Sequence, residues 1–105
     1  KFKILSILNF LGVLILDILK ASNLFKNENE STAKTKSNIS SFVKITGLGA
    51  PRSTKVIENS SNPTWNESFN FVIDKHDLNP MINIQLYNKS DQNNDFLGRF
   101  VKKFS

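Results

Sequence analysis

The 105-residue chain is long enough for one domain with a modest core, and its formal net charge of +5 favours anionic partners such as phospholipid headgroups, phosphoinositides or nucleic acid. The sequence contains no cysteine and one histidine. It therefore excludes a disulfide scaffold, a cysteine-based zinc site and a histidine-rich metal centre, and it fits a reducing cytosolic setting.

The first twenty residues have two interpretations. They begin with a basic residue and continue as a mainly apolar run, as a signal peptide or a short membrane helix does. Asn9 and Asp17 interrupt this run, however, and the later apolar residues also alternate with a period of two. That alternation predicts a strand over Val13–Ala21, with Phe2–Phe10 as a preceding strand or a lead-in. We favour the strand, and the membrane segment remains the alternative.

The middle and the second half of the chain alternate between polar loops and short apolar stretches. Residues 22–41 are dominated by Asn, Lys, Glu, Ser and Thr, which predicts a long polar loop. After it, alternating residues predict strands over 42–47, 53–57, the stretch that follows Asn66, 82–87 and 96–101. Six or seven short strands without a convincing helix predict an antiparallel sandwich.

Residues 61–71 combine a corner, an aromatic anchor and a strand. Pro63 fixes its own φ angle and pushes the preceding residue out of the helical region, so the pair marks a corner. The only tryptophan, Trp65, follows this corner, and we expect it to cover one end of the core while its N–H finds a partner. Phe69 and Phe71 are predicted to share the buried face of the strand.

In their order, these features resemble a C2 domain. The matching segments are Gly-Val-Leu-Ile-Leu-Asp-Ile-Leu-Lys-Ala-Ser-Asn-Leu (12–24), Ser-Phe-Val-Lys-Ile (41–45), residues 53–71 with their Asn-Pro-Thr-Trp-Asn-Glu-Ser-Phe, and Asp-Phe-Leu-Gly (95–98). The first segment is most similar to C2 domains of tricalbins and extended synaptotagmins. The resemblance implies an all-β, eight-stranded antiparallel Greek-key β-sandwich over 12–105. Fewer strands are predicted than eight, which leaves two alternatives: residues 1–11 are an edge strand that supplies the remaining one, or they are a lead-in and one strand is missing from this chain.

The resemblance also implies a calcium site built from loop carboxylates, and most of the matching positions lack one. Ser40 stands where the family has an Asp, and Asn88 and Ser90 stand in place of an Asp-X-Asp pair. Asp95 keeps its register, with Asp91 nearby. Ca²⁺ takes six to eight oxygen ligands, several of them charged. We therefore expect no metal site and a calcium-independent C2 domain.

A basic concave face that binds phosphoinositide headgroups is the second surface implied by the resemblance. The matching positions are Phe42, Lys44, Lys55, Tyr87 and Asn94, with Arg52 close to Lys55 and with Ser53 where the family often has Lys. Cations on adjacent strands beside aromatic ring faces suit a multiply charged phosphate. The alternative is that these lysines only keep the strand faces soluble. Lys34 and Lys36 of the long loop are further candidates for membrane contact, although such loops are more often simply solvated.

Enzyme motifs are absent from the sequence, so we predict neither catalytic residues nor a cofactor. His76 lies in a connection without a nucleophile motif, and the scattered Lys and Arg residues do not indicate nucleic-acid binding. We predict a calcium-independent, membrane-targeting C2 module for anionic phospholipid or phosphoinositide headgroups. It would be peripheral on the cytoplasmic side and part of a larger peripheral or tethering protein; tricalbin-like hosts imply contacts between endoplasmic reticulum and plasma membrane. The alternative is a C2 domain that binds other protein domains and no lipid.

Overall fold

The structure, a computed structural model, describes residues 2–10, 12–24, 39–73, 81–91 and 93–103. The strands in these ranges are β1 (Phe2–Phe10), β2 (Val13–Ala21), β3 (Ser41–Thr46), β4 (Arg52–Ser53), β5 (Thr64–Val72), β6 (Met81–Asn88) and β7 (Asp95–Lys103). They form a three-stranded sheet, with the order β1-β2-β5, and a four-stranded sheet, with the order β4-β3-β6-β7. All pairings are antiparallel. The predicted all-β class is confirmed.

The apolar N-terminal segment forms strands, which confirms the favoured interpretation. β1 pairs with β2 along its length, so Phe2–Phe10 supplies a strand at the edge of the three-stranded sheet. In β2, side chains that are fully buried alternate with side chains that are half-buried. This is the burial pattern that a period of two produces in a sheet packed on one face. In the described ranges, no helix is long and apolar enough to cross a membrane.

The core lies between the two sheets and is built from the alternating side chains of four strands. These residues are Leu14, Leu16 and Ile18 of β2, Val43 and Ile45 of β3, Phe69 and Phe71 of β5, and Ile82, Ile84 and Leu86 of β6. Burying one such side chain contributes about 1.5–3 kcal/mol relative to leaving it exposed. The predicted burial of Phe69 and Phe71 on one face of β5 is therefore confirmed.

Trp65 closes one end of this core and joins the two sheets. Its side chain is 1% exposed. Its Nε1–H donates to the carbonyl oxygen of Ser41 at 3.3 Å, which connects β5 to the first residue of β3. Asn66, the next residue, has a φ of 51°, and the β2–β5 ladder shifts register here. Asn tolerates this left-handed conformation, so the chain enters the strand through a bulge. Burial of the tryptophan with a bonded N–H is confirmed.

One predicted strand, over 53–57, differs from the observed structure. β4 consists of Arg52–Ser53 alone. At the next position, the Thr54 N–H donates to the Val43 carbonyl, and the Thr54 Oγ1 accepts the Val43 N–H, both at 2.9 Å. A side-chain oxygen has thus replaced a backbone carbonyl in the ladder, which ends the strand. Further on, Ile57 forms an isolated bridge with Ser41.

We expect Trp65→Ala to reduce the free energy of unfolding by about 3–5 kcal/mol, because it removes a large buried side chain and leaves a cavity. A loss of this size unfolds much of a marginally stable domain. Urea denaturation measures it, with Thr64→Ala at the exposed neighbouring position as the control, which should stay within about 0.5 kcal/mol of the parent. A loss below about 1 kcal/mol for Trp65→Ala would contradict the anchoring role.

Candidate functional site

The outer face of the four-stranded sheet, which is turned away from the core, gathers several candidate side chains. Cross-strand pairing arranges them in rows, because directly paired residues lie on the same face. One row, which we name the aromatic row, consists of Phe42, Tyr87 and Phe96. The row beside it, which we name the basic row, consists of Lys44, Gln85 and Arg99, with Ser53 of β4 at its end.

The rings of the aromatic row contact one another. The ring centroids of Phe42 and Tyr87 are 5.5 Å apart in a stacked arrangement. The Tyr87 and Phe96 centroids are 5.8 Å apart in an edge-to-face arrangement. Both are geometries that aromatic pairs prefer. Phe96 is 50% exposed, and Phe42 and Tyr87 are half-buried, so the row offers an apolar surface to a partner.

The basic row places two cations on either side of a neutral side chain. Lys44 of β3 is half-buried between Ser53 and Gln85, and Arg99 of β7 is exposed and pairs with Gln85. Their strands are separated by one intervening strand, which corresponds to about 10 Å between backbones. Long side chains at this separation can contact the same multiply charged anion.

Phe96 and Arg99 are absent from the site that the sequence predicts, because a bulge changes which side chains share a face. In a regular strand, residues three positions apart point to opposite faces. The β6–β7 ladder shifts register by one residue, and Leu97 is skipped in the pairing. The bulge therefore brings Phe96 and Arg99 to the outer face together. The only local sign in the sequence is Gly98, since a glycine inside a strand often marks a bulge.

Arg52 lies toward the core side of its strand. It pairs with the buried Ile45, and its guanidinium carbon is 5.2 Å and 5.4 Å from the ring centroids of Phe69 and Phe71. Its Nη1 donates to the Asn70 carbonyl oxygen at 3.5 Å. Arg52 therefore covers the rim of the core between β4 and β5, on the opposite side of the sheet from Lys44.

Lys55 also contacts β5. Its backbone N–H donates to Glu67 Oε2 at 2.8 Å, and its Nζ donates to the Trp65 carbonyl oxygen at 3.4 Å. The pairing register thus brings Lys44 together with Arg99, whereas the N–H and the Nζ of Lys55 contact residues of the other sheet.

The remaining candidates lie in loops. The Asn94 side-chain oxygen accepts the Ser90 N–H at 3.3 Å, a contact within the loop that precedes β7. Lys34, Lys36 and His76 lie outside the described residues.

The positions at which C2 domains bind calcium lie at the end of the sandwich beside the aromatic row, and the sequence predicts that this chain has no calcium site there. Asn88 is 4% exposed there; its Oδ1 accepts the Ser40 N–H at 2.9 Å, and its Nδ2 donates to Asp95 Oδ2 at 3.3 Å. Within the described ranges, no group of three or more His, Cys, Asp or Glu residues could hold a metal ion. Ca²⁺ takes six to eight oxygens, several of them charged, whereas among the described residues at this end the Asn88 amide donates its hydrogen bond to a carboxylate oxygen.

One known protein family matches the sequence of most of this chain. Residues 12–105, which are most of the chain, match the C2 domain family. The chain belongs to this family. The predicted resemblance is confirmed, and the two antiparallel sheets are those of a C2 sandwich.

The proteins and structures similar to this C2 domain include synaptotagmins and RIM. Synaptotagmin-5 of Arabidopsis thaliana is 32% identical over 53 residues, which are 50% of this chain and 9% of that protein. The first C2 domain of RIM from Drosophila is 21% identical, with a TM-score of 0.69 and coverage of 87% of this chain and 74% of that chain. The calcium-bound pair of C2 domains from extended synaptotagmin 2 is 21% identical, with a TM-score of 0.72 and coverage of 86% and 33%. At this identity the structural likeness shows the fold alone.

We expect Arg52→Ala to destabilise this C2 domain by about 1 kcal/mol, because it removes cation–π contacts with two rings and uncovers part of their faces. Arg52→Lys keeps the charge without the planar guanidinium and should recover part of the loss. Urea denaturation measures both variants, with Arg99→Ala as a control that removes the same charge from an exposed position. Equal destabilisation by Arg52→Ala and Arg99→Ala would contradict the packing role of Arg52.

Proposed function

We propose that this C2 domain is a membrane-targeting module that binds anionic phospholipid headgroups through the outer face of its four-stranded sheet, without Ca²⁺. The observation that carries the proposal is the basic row lying directly beside the aromatic row. The module acts by binding rather than by catalysis and uses no cofactor. Phosphoinositides are the preferred headgroups on this proposal, because their clustered phosphates match two cations on one face.

Electrostatic attraction supplies the long-range part of this binding. The net charge of +5 attracts the chain to an anionic leaflet, and each basic residue near the surface contributes about 1 kcal/mol. Attraction of this kind falls off within a Debye length, which is about 8 Å at physiological ionic strength. Binding should therefore weaken as salt is added.

The aromatic row supplies the short-range part. Tyr and Phe rings suit the boundary between headgroups and acyl chains, where an apolar body and a polar tip are both accommodated. With Phe96 half exposed at one end of the row, the face can place rings at this boundary while Lys44 and Arg99 contact phosphates. A module of this kind would attach a larger peripheral or tethering protein to the cytoplasmic side of a membrane, for example where endoplasmic reticulum and plasma membrane meet.

A second candidate function is binding of another protein domain without lipid. The observation that favours it lies on the outer face of the other sheet, where Val72 is 82% exposed and pairs with Val13. Co-sedimentation with vesicles distinguishes the two functions, because the second predicts no pelleting with anionic vesicles. Pelleting that requires the anionic lipid and decreases with salt supports the first.

We expect the double variant Lys44→Ala/Arg99→Ala to bind phosphoinositide-containing vesicles at least about tenfold more weakly, which corresponds to about 1.4 kcal/mol. The matched control is Lys20→Ala/Lys102→Ala, which removes the same charge; Lys20 is exposed on β2, and Lys102 pairs with Ile82 on the core side of its strand. Vesicle co-sedimentation at two salt concentrations measures both. Equal losses would mean that general charge, and not the outer face, holds the domain on the membrane.

We expect no saturable Ca²⁺ binding below millimolar concentration, because the Asn88 amide donates a hydrogen bond where a cation would need oxygens. Isothermal titration calorimetry measures this directly, with Mg²⁺ as the control for weak, unspecific binding. A micromolar dissociation constant for Ca²⁺ would refute the calcium-independent part of the proposal.

A further inference from the structure

Asn88 occupies the position where three strand ends meet. It is the last residue of β6, and in the sheet it pairs with Ser41 of β3 on one side and with Asp95 of β7 on the other. The preceding residue, Tyr87, is the middle ring of the aromatic row. Each ring of the aromatic row is therefore adjacent in sequence to one of these three paired residues: Phe42 follows Ser41, Tyr87 precedes Asn88, and Phe96 follows Asp95.

The Asn88 side chain connects the segments on both sides of β6. Its oxygen accepts the Ser40 N–H at 2.9 Å, just before β3, and its amide group donates to Asp95 Oδ2 at 3.3 Å, at the start of β7. Ser40 itself is held further: its carbonyl accepts the Lys89 N–H at 2.7 Å, and its Oγ accepts the Asn59 N–H at 3.2 Å. We name the set Ser40, Asn88 and Asp95 the Asn88 clamp.

The chemistry of the clamp requires an amide. An amide side chain accepts and donates at once, whereas an ionised carboxylate of nearly the same shape only accepts, and an aliphatic side chain does neither. Because Asn88 is almost fully buried, leaving its donor or acceptor without a partner would cost more than the hydrogen bond itself contributes. The observed contacts satisfy both ends of the amide.

We propose that Asn88 is a positioning residue that holds the aromatic row in its membrane-binding arrangement through hydrogen bonds, without a metal ion. The claim that this arrangement binds membranes rests on the proposed function, whereas the claim that Asn88 holds the rings in place does not. Phe96 needs this support most, because it is half exposed, lies next to the bulge at Leu97 and belongs to the outermost strand of its sheet. Its contact with Tyr87 depends on where β7 begins, and the bond between Asn88 and Asp95 fixes that point.

A matched pair of variants at Asp95 tests the clamp. Asp95→Asn and Asp95→Ala remove the same negative charge, so any general electrostatic gain in membrane binding is equal in the two. Only Asp95→Asn keeps a side-chain oxygen that accepts the Asn88 N–H. A difference between the two variants therefore reports the hydrogen bond and not the charge.

The first readout is the ring proton spectrum of Tyr87, the single tyrosine of the chain. Its neighbours Phe42 and Phe96 shift these resonances through their ring currents, so loss of the arrangement moves them toward the values of an unstructured peptide. We expect Asp95→Asn to keep the parent shifts and Asp95→Ala to lose part of them. The indole N–H resonance of Trp65, bonded to Ser41, shows that each variant remains folded.

The second readout is binding to phosphatidylserine vesicles, for which we expect Asp95→Asn to bind about threefold more tightly than Asp95→Ala, as one net hydrogen bond predicts. Asn88→Asp, which removes the donor while keeping the shape, should resemble Asp95→Ala in the Tyr87 spectrum. Identical Tyr87 spectra for the two Asp95 variants would overturn the clamp. Failure of the parent chain to bind both these vesicles and phosphoinositide-containing vesicles would instead refute the proposed function, and the Tyr87 spectra would still decide the clamp.

Discussion

The hydrogen bond from Trp65 to the Ser41 carbonyl connects the two sheets at one end of the sandwich. It is made by a side chain that is 1% exposed, and it joins the beginning of β5 to the beginning of β3. From Ser41 the ladder continues through Asn88 to Asp95. One end of the sandwich therefore carries the tryptophan on the core side, the Asn88 clamp at the strand ends and the aromatic row on the outer side. A shift of β3 relative to β5 would disturb all three.

Most of the strands can be predicted from the sequence, because a sheet packed on one face requires alternating burial and the chain supplies it. The alternation predicts β2 with its observed bounds, and it predicts β1 as a strand or a lead-in. The corner at Pro63 and the burial of Trp65 are predictable for a similar reason, since both depend on local backbone chemistry and on the size of one side chain. These are properties that a single stretch of sequence determines.

The candidate site is harder to predict, because it depends on register between strands. Skipping Leu97 in the β6–β7 ladder reverses the alternation, and this places Phe96 and Arg99 on one face. At the opposite edge, the Thr54 hydroxyl ends β4 early, and pairing with Ile45 directs Arg52 toward the core rim. In the first case a skipped residue, and in the second a hydroxyl that takes the place of a backbone carbonyl, decides which cations share a face. The amino-acid composition carries no information about either.

The proposed membrane-binding face does not depend on a metal ion for its arrangement, unlike a face whose loops are held together by a bound cation. Where a cation gathers loop carboxylates, the arrangement of the loops depends on the concentration of that cation. In this C2 domain the corresponding end is connected by Asn88, whose amide has a partner at each end within the chain itself. On our proposal the face is therefore present in every folded molecule. Its attachment would then respond to the anionic lipid content of the membrane and to ionic strength, because those are the variables that act on Lys44 and Arg99.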